Sequence, residues 1–139
     1  MVKVDLEIRV RKTISIGEVI FYNQDLIAFY FNDDITIGVA EVKEMVYVTR
    51  ELTGGEVDLL NLVVTGERNN ISTQAFSYDL FKELNIKQRT VAEAVVIKNL
   101  PTRIMANFYY KAIRRSFPVK VFDSEEDAVS WLFSSKCPD

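Results

Sequence analysis

Glu67, Arg68, Asn69, Asn70, Ser72 and Thr73 place a carboxylate, a guanidinium, two amides and two hydroxyls in one short run. Such a set can bind a ligand or a partner's backbone, and a phosphate on a hydroxyl opening a helix is electrostatically accepted there. The plainer account is a polar turn followed by a helix cap, with Ser72 or Thr73 accepting from a backbone N–H. A second group lies between residues 101 and 120, where Arg103, Lys111, Arg114, Arg115 and Lys120 stand with no acid among them. At helical spacing Arg103, Asn107, Tyr110 and Arg114 fall on one face. That face would suit a phosphate, an anionic lipid headgroup or an acidic partner. Its plainer account is a solvated face, with Arg114 and Arg115 complementing the negative end of a helix.

The chemistry that is missing narrows the choice. The 139 residues contain no histidine and one cysteine, Cys137. Ser-His-Asp and Cys-His catalysis, histidine acid–base work and zinc held by histidines or several thiolates are thereby removed. Neither a P-loop nor GxGxxG occurs. Carboxylates and tyrosines remain, with Glu67 the first acid to test, but no acidic pair is set out by spacing. The expectation is a protein that binds rather than catalyses, with no metal and no cofactor. A net charge of −3 argues against nucleic acid as a partner of the whole surface. Phe29, Tyr30 and Phe31 have Asp33 and Asp34 beside them, so they suit a core or sheet edge better than a base-stacking platform. No apolar run reaches the roughly 18 residues of a membrane span, and a lone cysteine suits a reducing cytoplasm.

The elements that must position these residues are visible as changes of period. Val2, Val4, Leu6, Ile8 and Val10 alternate with charged residues, the pattern of a half-buried edge strand. Residues 19–22 and 26–31 suggest two strands joined by a turn at Asn23-Gln24-Asp25. Asn32, Asp33, Asp34 and Thr36 offer turn and N-cap chemistry. Val39, Val42, Val46 and Thr49 then recur at helical spacing, and Thr53-Gly54-Gly55 ends that helix. Residues 59–65 form a buried-strand run with Asn61 inside it. The helix opened by Ser72 or Thr73 carries Ala75, Phe76, Leu80 and Leu84.

The clearest unit spans residues 90–132. Residues 91–97 are apolar except for Glu93, which suits a strand covered on both faces. Pro101 and Pro118 bracket a helix, with Ile104, Phe108 and Ala112 as its expected core stripe and Met105 and Tyr109 beside them. A strand over 119–122 follows. Ser124 caps a last helix that has acids in its first turn and Ala128, Trp131 and Leu132 on its apolar face. Strands alternating with helices imply an α/β fold with a largely parallel sheet. One domain over 1–139 is expected, with 1–12 an additional N-terminal strand and 133–139 a tail.

This order resembles the anti-sigma-factor-antagonist domain, STAS, and its SpoIIAA-like relatives, over residues 13–133. Val119-Lys120-Val121-Phe122-Asp123-Ser124-Glu125-Glu126-Asp127-Ala128-Val129-Ser130-Trp131-Leu132 is similar to the strand-turn-helix that ends SpoIIAA-like proteins. Ala94-Val95-Val96-Ile97 through Met105-Ala106-Asn107-Phe108-Tyr109 is similar to uncharacterised bacterial members. The resemblance implies a SpoIIAA-like mixed sheet wound with crossover helices by β-α repeats. It also implies a non-enzymatic protein–protein interaction module in bacterial signalling. In well-known members a partner kinase phosphorylates a serine in an Asp-Ser-Ser-Gly turn. The matching stretch here is Ser72-Thr73-Gln74-Ala75, so Gln74 takes the phosphoserine position and the Asp and Gly are absent. The surface expected to meet a partner is residues 66–79. Overlap with Sec14-type domains implies an alternative, a carrier of a small anionic molecule or lipid that uses the basic helix. A homodimer through the N-terminal edge strand is a further expectation.

Overall fold

The computed structural model describes residues 6–55, 57–79, 82–83, 89–113 and 117–136. Three antiparallel strands come first, β1 (Ile8–Ile14), β2 (Gly17–Tyr22) and β3 (Leu26–Phe31). The β2–β3 turn lies at Asn23–Asp25 as expected, with Gln24 and Asp25 at positive φ. Val2 and Val4 of the expected alternation lie outside the described residues; among those described, β1 begins at Ile8 and continues to Ile14. It is a sheet edge with little cover: Ile8 is 48% exposed, and a bulge interrupts its pairing between Ile8 and Val10.

Strands β5 (Leu59–Val64), β7 (Thr90–Val96) and β8 (Val119–Phe122) then add in parallel beside β3. The six-stranded sheet has the order β1-β2-β3-β5-β7-β8. A separate parallel pair joins β4 (Thr36–Ile37) to β6 (Asn70–Ile71). Thr36 is therefore strand rather than cap. The N-cap of α1 (Val39–Thr53) is Gly38, whose N–H donates to Glu41 Oε1 at 2.7 Å. Gly54 ends α1 at φ 72°, a left-handed conformation that costs glycine little.

The central strands are covered on both faces. On one, Leu60, Leu62, Ala92, Ala94 and Val96 pack with Ala128, Leu132 and Phe133 of α4 (Glu125–Lys136). Small alanines on β7 let this helix lie close. Ser124 Oγ accepts from Asp127 N–H at 3.3 Å, the expected cap. The Tyr30 hydroxyl donates to Glu125 Oε1 at 2.5 Å, and burial first, then this bond, holds the phenol far above its ordinary pKa. The last helix runs through Lys136 and buries Phe133, so the tail expected from residue 133 is instead helical up to there.

The other face carries Val63, Val95 and Ile97 under α1, α2 (Thr73–Ser77) and α3 (Leu100–Ala112). Here the expected stripe is overturned. Ile104 and Phe108 are 62% and 68% exposed, while Thr102 and Ala106 are buried, with Met105, Tyr109, Tyr110 and Ile113 packed beside them. Small residues bring the helix down onto the sheet, and Tyr109 stacks on Phe76 with ring centroids 5.1 Å apart. The helix also stops at Ile113, which is extended (φ −102°, ψ 123°), short of the expected end before Pro118. No helix among the described residues is long and apolar enough to cross a membrane.

Candidate functional site

The polar run after β5 folds into a loop braced against the β3–β4 turn. Asn69, only 2% exposed, accepts the Gly66 N–H on Oδ1 at 2.7 Å. Its Nδ2 donates to the carbonyls of Asn32 at 2.8 Å and Ile35 at 3.2 Å. Arg68 donates to Asp33 twice, from its backbone N–H and from Nε, each at 2.9 Å, and its Nη2 lies 3.0 Å from Asp34. These bonds, the backbone one foremost, hold the Asp33 carboxyl below the usual carboxylate range. Ser72 caps α2, its Oγ accepting from Ala75 N–H at 3.2 Å. The sequence-predicted residues are thus brought together, but Arg68, Asn69 and Ser72 are engaged in building the loop. Glu67, Asn70 and Thr73 are exposed. Asn99, the N-cap of α3, donates from Nδ2 to the Glu67 carbonyl at 3.2 Å and ties the loop to that helix.

The cations of α3 are not brought into one site. Arg103 is partly buried; its Nη1 donates to the Ile97 carbonyl at 3.3 Å and stands 3.8 Å from Asp123. Tyr110, expected on the same outward face, turns inward and meets Phe76 edge-on at 5.2 Å. Lys111 and Asn107 are exposed. Arg114 and Arg115 lie outside the described residues. Along the outer side run Leu100, Ile104 and Phe108.

A feature that the sequence reading did not assemble lies between the sheet and α1, α2 and α3. It is a cleft with a volume of about 130 Å³. Phe29, Phe31, Val63 and Val95 supply apolar sheet surface, and Met45, Val46 and Phe76 close over it. Two polar residues interrupt this floor: Asn61 on β5 and Glu93 on β7, direct partners in the parallel register. Asn61 Nδ2 donates to Thr90 Oγ1 at 3.2 Å. Asn61 Oδ1 is shielded from solvent with no hydrogen-bond partner among the described residues. Burial, with the Glu83 carboxylate adding to it, pushes the Tyr78 hydroxyl up to about 12. Asn61 and Glu93 are visible in the sequence as the polar interruptions of two buried-strand runs; that signal could have marked them as a pair. Among the described residues no cluster of three or more acids or cysteines is placed to hold a metal.

Comparison with known proteins bears on the fold. An uncharacterised protein of the DUF3478 family from Shewanella loihica PV-4, described as having a SpoIIAA-like fold, matches with a TM-score of 0.51 and 14% identity. The match covers 95% of this chain and 98% of that one. This protein therefore has a SpoIIAA-like fold, as the order of its elements implied. No curated protein matches. The sequence model of DUF7793, a domain of unknown function, matches residues 20–136, and the chain belongs to that family.

Proposed function

We propose that this DUF7793 protein is a non-enzymatic regulatory module of the STAS type, acting in the bacterial cytoplasm by binding a protein partner. The observation that carries the reading is the row Leu100, Ile104 and Phe108 on α3, exposed by 55%, 62% and 68% at successive turns. Large apolar side chains grouped at the surface mark interaction sites, and spacing of i, i+4, i+8 is the form in which a helix presents a face to a partner. The Asn99–Glu67 bond ties the polar loop to the N-terminal end of α3, and the exposed Glu67 there supplies a polar neighbour of the kind found at the rim of such a surface. Gln74 has no hydroxyl to phosphorylate at the position used by the relatives, and the Ser72 hydroxyl is occupied as a cap. Control by phosphate at the usual residue is therefore not part of the proposal. The absence of histidine from the chain supports a role without catalysis.

The alternative, a carrier of an anionic small molecule or lipid headgroup on α3, is less well supported. Arg103 is turned to Ile97 and Asp123, leaving Lys111 as the exposed cation of the described helix. The test is affinity capture from the native organism with the parent protein and an Ile104→Glu/Phe108→Glu double variant. A stoichiometric protein held by the parent and lost by the variant is the expected result. Equal capture by both would remove α3 from the surface, and capture of no protein would remove the partner-binding reading itself.

A further inference from the structure

The outer face of α3 carries charge of one sign. No acid occurs between Lys98 and Phe122, in a chain whose net charge is −3. Lys111 is exposed, and it lies three residues after Phe108 and seven after Ile104, which puts it on the face of the apolar row. Lys98 is exposed at the other end, just before the N-cap Asn99. Neither lysine has an ion pair among the described residues. Resting on the reading of this row as a partner surface, we infer that its occupant is an acidic amphipathic helix of the partner protein. Its apolar stripe lies along Leu100, Ile104 and Phe108, and its carboxylates meet Lys98 and Lys111.

Shape favours a helix. Side chains at i, i+4 and i+8 make a straight ridge about 12 Å long, and ridges of this spacing seat in the grooves of a second helix. Lys111 stands about 10 Å along the axis from Ile104. A carboxylate about two turns from the middle of the partner's own stripe would reach it. Exposed ion pairs add little affinity. The apolar ridge therefore supplies the contact, while the lysines select the sign of the partner and speed its encounter.

Charge disfavours the other occupants. In a second copy packed antiparallel about Ile104, the Lys98 end of one row meets the Lys111 end of the other. In a parallel pair each lysine meets its own copy. Cations face cations either way, with the single carboxylate of Glu67 at the N-terminal end to set against them. An anionic bilayer is a broad plane. Asp123, 67% exposed and 3.8 Å from Arg103, flanks α3, and Glu67 stands at its start, so such a plane meets carboxylates around the row. A partner helix, about 10–12 Å across, is narrow enough to cover the row alone.

Two peptides of about 20 residues, long enough to form helices, test this. They share one leucine stripe at helical spacing and differ in their charged positions, glutamate in one and lysine in the other. Each is titrated into the full chain at low salt, up to millimolar concentrations, and followed by 1H–15N NMR. The glutamate peptide is expected to shift the amides of Ile104, Phe108 and Lys111. It should bind about fivefold more tightly than the lysine peptide, the worth of one or two exposed ion pairs, and added salt should shrink that preference. In Lys98→Glu/Lys111→Glu the preference reverses. Equal binding by the parent protein, or a lysine preference, overturns the acidic character. No shift along α3 with either peptide overturns the helical occupant. Phosphatidylglycerol vesicles that bind the parent protein, lose it with Ile104→Glu and outcompete the glutamate peptide replace the helix by a membrane. Affinity capture separates this inference from the proposed function. A partner lost with Ile104→Glu/Phe108→Glu but held equally by the parent and Lys98→Glu/Lys111→Glu overturns the acidic occupant and leaves the partner surface standing.

Discussion

Asn61 and Glu93 face each other across the parallel β5–β7 pair, two polar side chains in the middle of an otherwise apolar sheet face. Their register neighbours two residues on, Val63 and Val95, belong to the core. In a strand the side chains of one face recur every second residue, so a polar residue in that series is set against the packing around it. Asn61 is half-satisfied, with Nδ2 bonded to Thr90 and Oδ1 buried alone.

Replacing Asn61 by leucine should therefore cost little. The bond to Thr90 is lost, worth about 1 kcal/mol, and the desolvation penalty of Oδ1 is removed, worth about 1–3 kcal/mol. The expected change in urea-unfolding free energy is between zero and a gain of about 1 kcal/mol. A loss of more than about 1 kcal/mol would show that the oxygen is satisfied in the native state, for example by a bound water.

Asn69 is the opposite case, a buried amide that uses both ends. Its three bonds close the loop on itself and onto the carbonyls of Asn32 and Ile35. Asn69→Ala leaves the Gly66 N–H and those carbonyls to find other partners. A loss of about 2–3 kcal/mol is expected from the net worth of such bonds, read as a lowered urea midpoint with unchanged slope. A change below about 0.5 kcal/mol would mean that water replaces the side chain and that the loop holds without it.

The Asp33–Arg68 pair should show itself through acid. Asp33 is held below its ordinary value by the backbone N–H and then the guanidinium of Arg68. A depressed folded-state value gives stabilisation that is present above the unfolded value, near 4, and lost as pH falls through the folded value. The melting-temperature difference between the parent protein and Asp33→Asn should be constant from about pH 8 to pH 5 and shrink below pH 4. Because the pair is exposed, added salt should reduce the difference. A difference that grows on acidification would contradict the assignment.

Local signals carried much of this architecture. The turn at Asn23–Asp25, the glycine stop after α1 and the Ser124 cap each depend on residues within a few positions. What escaped the sequence depends on distant partners. The β4–β6 pair is two residues long on each side and exists because Ile37 meets Ile71 across the fold. Arg103 reads as a free cation until Asp123 and the Ile97 carbonyl are placed beside it. Asn61 and Glu93 were visible separately, but their meeting is fixed by strand register, which no local pattern encodes.

The orientation of α3 is the sharpest of these cases, because its sequence offers two apolar stripes at helical spacing. One contains Leu100, Ile104 and Phe108; the other contains Met105, Tyr109 and Ile113, with the small Thr102 and Ala106 between them and the sheet. Bulk favours the first stripe and close approach favours the second. The structure takes the second, with Phe76 receiving the two tyrosines. Ile104→Glu should then change unfolding free energy by no more than about 0.5 kcal/mol, as for an ordinary surface site. Ala106→Leu, at a position with 0% exposure, should cost about 1–3 kcal/mol by overpacking. Chemical denaturation of both variants gives the answer directly. If Ile104→Glu proved the more damaging, the helix would be rotated in solution to bury the other stripe, and the row Leu100, Ile104 and Phe108 would belong to the core rather than to a partner.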